Sequence, residues 1–337
     1  MSAPAYLADY ARLCEARLRA FLDAKKRQFE SLPVGMGDAE ALLRDYLLRG
    51  GKRLRGALVM LGHEAAGGPR HGALDASIGV ELLHAYLLIH DDFMDQDEVR
   101  RGGPTLHRAL GGDHLAAGLA ILLGSLCESW AYQLVLGRSP GTQAAAEMVA
   151  LTLEQVILGQ MADLRAPRLG ELASAQVLEV QRRKTGSYTF ELPLQLGATL
   201  AGASPALLDA LSAYALPLGQ AFQIADDLLG TFGAPEVTGK PNASDLREGK
   251  RTLLIARALE MAAPPDAARL RAGLGNPQAD VEELRAILLR SGAAESARAE
   301  ADKLCDQALR ALETSLLPAQ VAQALREIAV YSVKRAL

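Results

Sequence analysis

The stretch LLHAYLLIHDDFMDQDEVRRGGPTLH, residues 82–107, joins an apolar run to a dense group of acids, two arginines and a diglycine. Residues 82–89 hold no glycine or proline and are apolar on nearly every face, the pattern of a central helix in an all-helical core. If that helix reaches Asp95, each residue advances about 100°. Asp91, Asp92 and Asp95 then share one face, and His84 lies two turns before Asp91 on the same stripe. Like charges one turn apart destabilise a helix by a few tenths of a kcal/mol. At about 4 Å and an effective dielectric near 20, each pair repels by roughly 4 kcal/mol. A bound cation accounts for such a cluster, and so does an exposed acidic helix end; a lone DDxxD is compatible with both. Oxygen donors with no His or Cys among the acids point to Mg²⁺, which bridges a few carboxylates to substrate phosphates.

A second cluster favours the cation. In AFQIADDLLG, residues 221–230, an apolar helical run again leads into paired acids, Asp226 and Asp227, with Gln223 on the face of Asp226. Two such helices facing each other would build a metal–diphosphate cage across a central cavity. Four basic segments supply candidate anion sites: GGKRLRG (residues 50–56) with Lys52, Arg53 and Arg55, the pair Arg100–Arg101, RRKTGS (182–187) with Lys184 and Thr185, and a Gly-rich loop with Lys240 and Lys250. Glycines let a phosphate approach the backbone closely, and helix N-termini favour it. GGKRLRG lacks the spacing of a nucleotide P-loop. Acids for metal and bases for phosphate together describe chemistry on diphosphate esters.

The rest of the chain is built to match. Ala, Leu, Arg and Glu dominate, aromatics are only 4%, and few windows alternate as strands do. Segments such as AEALLRDYLL (39–48) and ADVEELRAILLR (279–290) repeat apolar residues at helical spacing. Gly and Pro clusters separate about a dozen helical stretches, with no strand–turn–strand pattern, repeat or long linker. The expectation is one all-α domain over residues 1–337, a helical bundle around a central cavity, with residues 82–89 and 115–126 at its centre.

Composition excludes several classes. A net charge of −4 leaves no basic footprint for nucleic acid. Cys14, Cys127 and Cys305 are odd in number and without metal spacing, as thiols in a reducing compartment are. The N-terminus has no secretory pattern. The most apolar run, residues 115–126, is about 12 long, short of the roughly 18 to 20 a membrane span needs. A cytoplasmic protein with no membrane span is expected.

These motifs, with KTGSYT, GQMADL, GKPNASDLREGKRTLL and the C-terminal AVYSVKR, resemble the successive motifs of trans-isoprenyl diphosphate synthases, the polyprenyl synthetase family. The resemblance runs in order from about residue 40 to 255 and implies the isoprenoid synthase fold and a homodimer. It also implies Mg²⁺-dependent ionisation of an allylic diphosphate, attack on the cation by isopentenyl diphosphate, and a trans product five carbons longer, the leaving diphosphate accepting the proton. By position, Asp91, Asp92 and Asp95 would form one metal site and Asp226 and Asp227 the other. Gly51, Lys52, Arg55, His84 and Arg101 would bind isopentenyl diphosphate. Arg100, Lys184, Thr185, Gln223 and Lys240 would hold the allylic diphosphate, with Gln160 and Asp163 behind them and Asp97 and Glu98 as solvated neighbours.

Three positions depart from the family pattern: Gly230 replaces the last acid of the second motif, Gly56 a frequent Pro, and Ser125 a frequent Asp. The family gauges product length just before the first aspartates. Tyr86 with non-aromatic Leu87, and no insertion in the motif, resembles geranylgeranyl (C20) diphosphate synthases. A farnesyl (C15) synthase is the alternative; a terpene cyclase or a non-catalytic synthase subunit fits less of the sequence.

Overall fold

The computed structural model describes residues 3–137, 141–233, 244–313 and 317–334, so Lys240 lies outside the described residues. Among the described residues the chain is all-α apart from one two-residue-strand hairpin, as the periodicity implies. Two compact units divide it. The first runs to Glu147 and takes in Pro193–Ala203; the second is Met148–Leu192 with the chain from Ser204 on.

The first unit holds α1 (Ala3–Glu30), α2 (Gly37–Leu48), α3 (Leu54–Ala65), α4 (Leu74–Met94), the hairpin β1 (Val99–Arg100) and β2 (Gly103–Pro104), α5 (Leu106–Ala109) and α6 (His114–Val135). The unit boundary falls inside α7 (Thr142–Leu169) and not in a linker. α4 carries the apolar run into the core, burying Ile78, Val80, Leu82, Leu83, Tyr86 and Ile89. It packs along α6 where small residues admit it: a Cβ at Gly79 would lie 3.0 Å from the Ala131 carbonyl, and one at Gly124 2.7 Å from the His90 ring. α9 (Leu192–Leu200) crosses α3 so closely that a Cβ at Gly62 or Gly197 would strike the facing backbone.

α6 differs from expectation in two ways. The apolar run continues past Gly124 and Ser125, giving a 22-residue helix that by length and composition alone could cross a membrane. It is not buried on every face either: Ala120, Leu123, Cys127 and Trp130 are covered by the unit's core, whereas Leu115 and Leu122 are 69% and 67% exposed. Apolar composition records no direction, so it cannot tell a covered face from an open one.

The second unit continues with α8 (Ser174–Gln181), a π-helical segment (Arg182–Glu191), α10 (Pro205–Phe232), α11 (Ser244–Glu248), α12 (Leu253–Met261), α13 (Pro264–Gly273), α14 (Val281–Arg290), α15 (Ala293–Glu313) and α16 (Ala319–Lys334). Capping fixes several starts. Ser204 accepts from Leu207 N–H with Pro205 next to it, Thr252 from Ile255, and Asp280 from Glu282 and Glu283. α15 packs along α10, the helix that carries the second acid pair.

Candidate active site

In the first unit the acids close α4. The helix ends with Asp95 as its cap, its N–H bonded to the Asp91 carbonyl, so Asp91 and Asp95 lie one turn apart on one stripe. Asp92 takes the other side and is fully buried. It accepts from the Tyr46 hydroxyl at 2.9 Å and from Arg100 Nε at 2.7 Å, with Arg100 Nη2 closing the pair. Burial pushes its carboxyl up, against the opposing pull of Arg100. Asp97 is not the solvated neighbour expected from the sequence: it pairs with Arg100 at 2.8 Å, and its carbonyl accepts from Thr105 Oγ1 at 2.7 Å. Glu98 is exposed, as expected.

The hairpin turns at Arg101 and Gly102, both at positive φ (51° and 72°), as a tight two-residue turn requires. Its strands are too short for alternation to be read, which is why the sequence hid it. The turn sends Arg100 back to Asp92 and sets the Arg101 guanidinium against Gly51, where a Cβ would lie 3.1 Å from its central carbon. Arg55 Nη1 meets His84 Nε2 at 3.3 Å. Burial first, then Arg55, Arg101, Arg100 and Arg53, holds His84 well below its usual pKa, so the ring is neutral and accepts from Arg55. Lys52 is exposed beside them. Gly51, Arg55, His84 and Arg101 are thus brought together as a candidate anion site, with two guanidiniums and no charge on the imidazole.

Sequence reasoning missed the support beneath this site. Arg53 is turned inward: its Nη1 pairs with buried Glu81 at 3.3 Å and its Nη2 donates to the Leu47 carbonyl at 2.6 Å. A lone acid inside the run VELLHAYLLI was the available signal, since an acid is almost never fully buried without a partner. Tyr46 had no such signal.

Tyr86 is buried with the His90 ring edge-on at 4.7 Å and Glu128 and Tyr132 of α6 beside it. Leu87 is half-buried and shares the stripe of His84 and Asp91.

In the second unit, Asp226 is exposed and Asp227 is buried. Asp227 accepts from Gln223 Nε2 at 2.7 Å and Gln181 Nε2 at 2.6 Å. Burial, then Asp245, pushes its carboxyl well above the usual range. The π-helical segment carries Lys184 and Thr185, and ends just before Pro193, which has no N–H to continue a ladder. Glycines seat it on both sides: a Cβ at Gly159 of α7 would lie 2.6 Å from Lys184 N, and one at Gly219 of α10 2.5 Å from the Gly186 carbonyl. Lys184 pairs with Asp163 at 2.6 Å, which gives Asp163 its supporting place; Gln160 sits half-buried one turn before it.

The donor set fits Mg²⁺: every candidate is a carboxylate oxygen, with no His or Cys among them. Among the described residues no three His, Cys, Asp or Glu side chains form a ready metal shell. A metal that keeps waters and takes substrate phosphates as ligands needs none.

A family model described as polyprenyl synthetase matches residues 39–289. The chain belongs to the polyprenyl synthetase family. It is 35% identical over 322 residues to the (2E,6E)-farnesyl diphosphate synthase of Mycobacterium tuberculosis (strain ATCC 25618 / H37Rv), across 93% of this chain and 87% of that protein. It is 32% identical over 294 residues to the geranylgeranyl diphosphate synthase of Sulfolobus acidocaldarius, across 85% and 87%. Among solved structures, geranylgeranyl pyrophosphate synthase from Corynebacterium glutamicum, complexed with isoprenyl diphosphate and magnesium, matches with a TM-score of 0.93 and 34% identity over 98% of this chain and 99% of that one. This polyprenyl synthetase is accordingly a trans-prenyltransferase. Its relatives are named both farnesyl and geranylgeranyl diphosphate synthases, so family membership does not set chain length.

The departures from the family pattern have structural counterparts. At Gly230 a Cβ would lie 2.9 Å from Asp245 Oδ2, so the Asp245 carboxylate of α11 reaches the space a third acid would enter. At Gly56 the space is taken by the Tyr10 hydroxyl of α1. Ser125 is exposed on α6, and nothing in the structure explains its replacement of an acid.

Proposed function

We propose that this enzyme condenses isopentenyl diphosphate head-to-tail with an allylic diphosphate, uses Mg²⁺, and releases geranylgeranyl diphosphate (C20). The observation that carries the reading is the anion site of the first unit. Arg55, Arg101 and neutral His84 gather at a glycine loop close to α4, a second diphosphate site that ionisation of a single substrate has no use for. A terpene cyclase does not account for it.

Lys52, Arg55 and Arg101 hold the diphosphate of isopentenyl diphosphate, with His84 fixing the Arg55 guanidinium. Lys184, Thr185, Gln223 and Lys240 receive the allylic diphosphate. Arg100, held in place by Asp92 and Asp97, offers a further guanidinium to diphosphate. Within the first unit Asp91 and Asp95 would hold metal, and within the second Asp226 would do so, while Asp92 and Asp227 accept buried hydrogen bonds. When bound, Mg²⁺ supplies positive charge against the leaving diphosphate. Apolar side chains keep water from the allylic cation, and the leaving diphosphate takes the proton.

The C20 assignment rests on non-aromatic Leu87, which lies on the stripe of Asp91 and leaves the chain room to grow, with Tyr86 as the bulk beneath. A homodimer accounts for the open apolar faces of α6 (Leu115, Leu122) and α7 (Leu151, Ile157, Leu158, Met161); light scattering would then give twice the chain mass. Three free, buried cysteines suit the cytoplasm. The test is chromatography of the dephosphorylated products from isopentenyl and dimethylallyl diphosphates with Mg²⁺. The expected product is C20; accumulation of C15 alone, or products beyond C25, would refute the chain length.

A further inference from the structure

We propose that Glu81 is a positioning residue for isopentenyl diphosphate: clamped with Tyr10 and Arg53, it sets the shape of the loop that receives this substrate. The inference rests on the condensation reading above.

Glu81 is 4% exposed in the middle of α4. Its Oε1 accepts the Gly56 N–H at 2.9 Å, and its Oε2 accepts Arg53 Nη1 at 3.3 Å. Arg53 also donates to the Leu47 carbonyl at 2.6 Å. One carboxylate thereby ties α4 to the last turn of α2 and the first turn of α3. The loop between them has Gly50, Gly51 and Arg53 at positive φ of 83°, 125° and 49°. A non-glycine residue in that region persists only where its surroundings over-determine it, and the Glu81 pair with Arg53 does so.

Tyr10 closes the other side. A Cβ at Gly56 would strike its hydroxyl, which donates to Ser77 Oγ at 3.0 Å. With residues 53 and 56 pinned inward, Lys52 is left exposed and Arg55 is directed to His84. His84 lies three residues after Glu81, on the same face of α4. Loss of the Glu81 charge leaves the Arg53 guanidinium buried without its partner. The loop then moves as a unit, taking Gly51 from Arg101 and Arg55 from His84. None of these residues is among those expected to hold the allylic diphosphate.

The experiment is steady-state kinetics on the full chain, varying each substrate and Mg²⁺ in turn. Glu81→Gln should raise the KM for isopentenyl diphosphate about tenfold or more, with the allylic KM and the Mg²⁺ half-saturation within about twofold of wild type. Gly56→Ala should produce the same selective rise, and Tyr10→Ala/Gly56→Ala, which makes room for the new methyl, should recover much of it. That pair decides the matter if Glu81→Gln does not fold. A wild type that condenses the substrates while the variants leave both KM values unchanged, or move both equally, overturns the inference alone. A wild type that never consumes isopentenyl diphosphate overturns the reading beneath it.

Discussion

Asp92 and Asp227 are the second acids of their pairs, and both are buried behind hydrogen-bond donors. A bare DDxxD gives three equivalent letters; the folded chain sets the second acid of each pair apart, buried and turned to orient Arg100 or two glutamines. The same division explains how a glycine can stand in the second motif. Asp245 already brings a carboxylate to within 2.9 Å of where a side chain at residue 230 would begin. Asp245→Asn is therefore expected to raise the Mg²⁺ concentration for half-maximal turnover by about 10- to 100-fold, the scale of a supporting metal contact. Gly230→Asp should be harmful alone, through crowding and like charge, while the double change should perform better than either single one. A Mg²⁺ titration of turnover across the three variants checks this, and strictly additive losses would count against it. Sequence inspection found Gly230 as a gap but not its replacement, because the two positions are 15 residues apart in the chain (245 − 230) and meet only in space.

At the scale of elements, two pieces matter more than their length suggests. The hairpin after α4 splits adjacent arginines between two tasks, and the π-helical segment sets Lys184 where Asp163 can reach it. π-Helical turns are frequent at functional sites, and this one is seated by glycines on α7 and α10. Gly219→Ala would put a methyl against the Gly186 backbone, an overpacking cost of about 1–3 kcal/mol. Its expected kinetic signature is a higher KM for the allylic diphosphate with the isopentenyl KM unchanged. Equal rises in both would contradict the assignment of Lys184 and Thr185. The long helices were legible because apolar spacing and Gly/Pro breaks mark them. The hairpin and the π segment were not, since two-residue strands and a ten-residue change of ladder leave no periodic trace.

For the whole molecule, the all-α class and the family could be read from the motifs, whereas the open faces of α6 and the unit boundary inside α7 could not. Stability carries a mark of the site as well. His84 in the folded chain binds a proton only well below 6.5, because burial and neighbouring guanidiniums oppose its charge. The unfolded chain binds that proton as pH falls through about 6.5. The unfolded state therefore gains protons first, and His84 lowers stability below about pH 6.5, by at most roughly 1.4 kcal/mol per pH unit, and has no effect above it. Thermal unfolding from pH 7.5 to 5 should show a shallower acid decline for His84→Gln than for wild type; parallel declines would place the imidazole elsewhere. The central claim, that two diphosphates are joined, is tested most directly by diphosphate release with Mg²⁺ and an allylic diphosphate, with and without isopentenyl diphosphate. The account predicts release that depends on both substrates and matches isopentenyl diphosphate consumed; equal release from the allylic substrate alone, or none with both present, would contradict it.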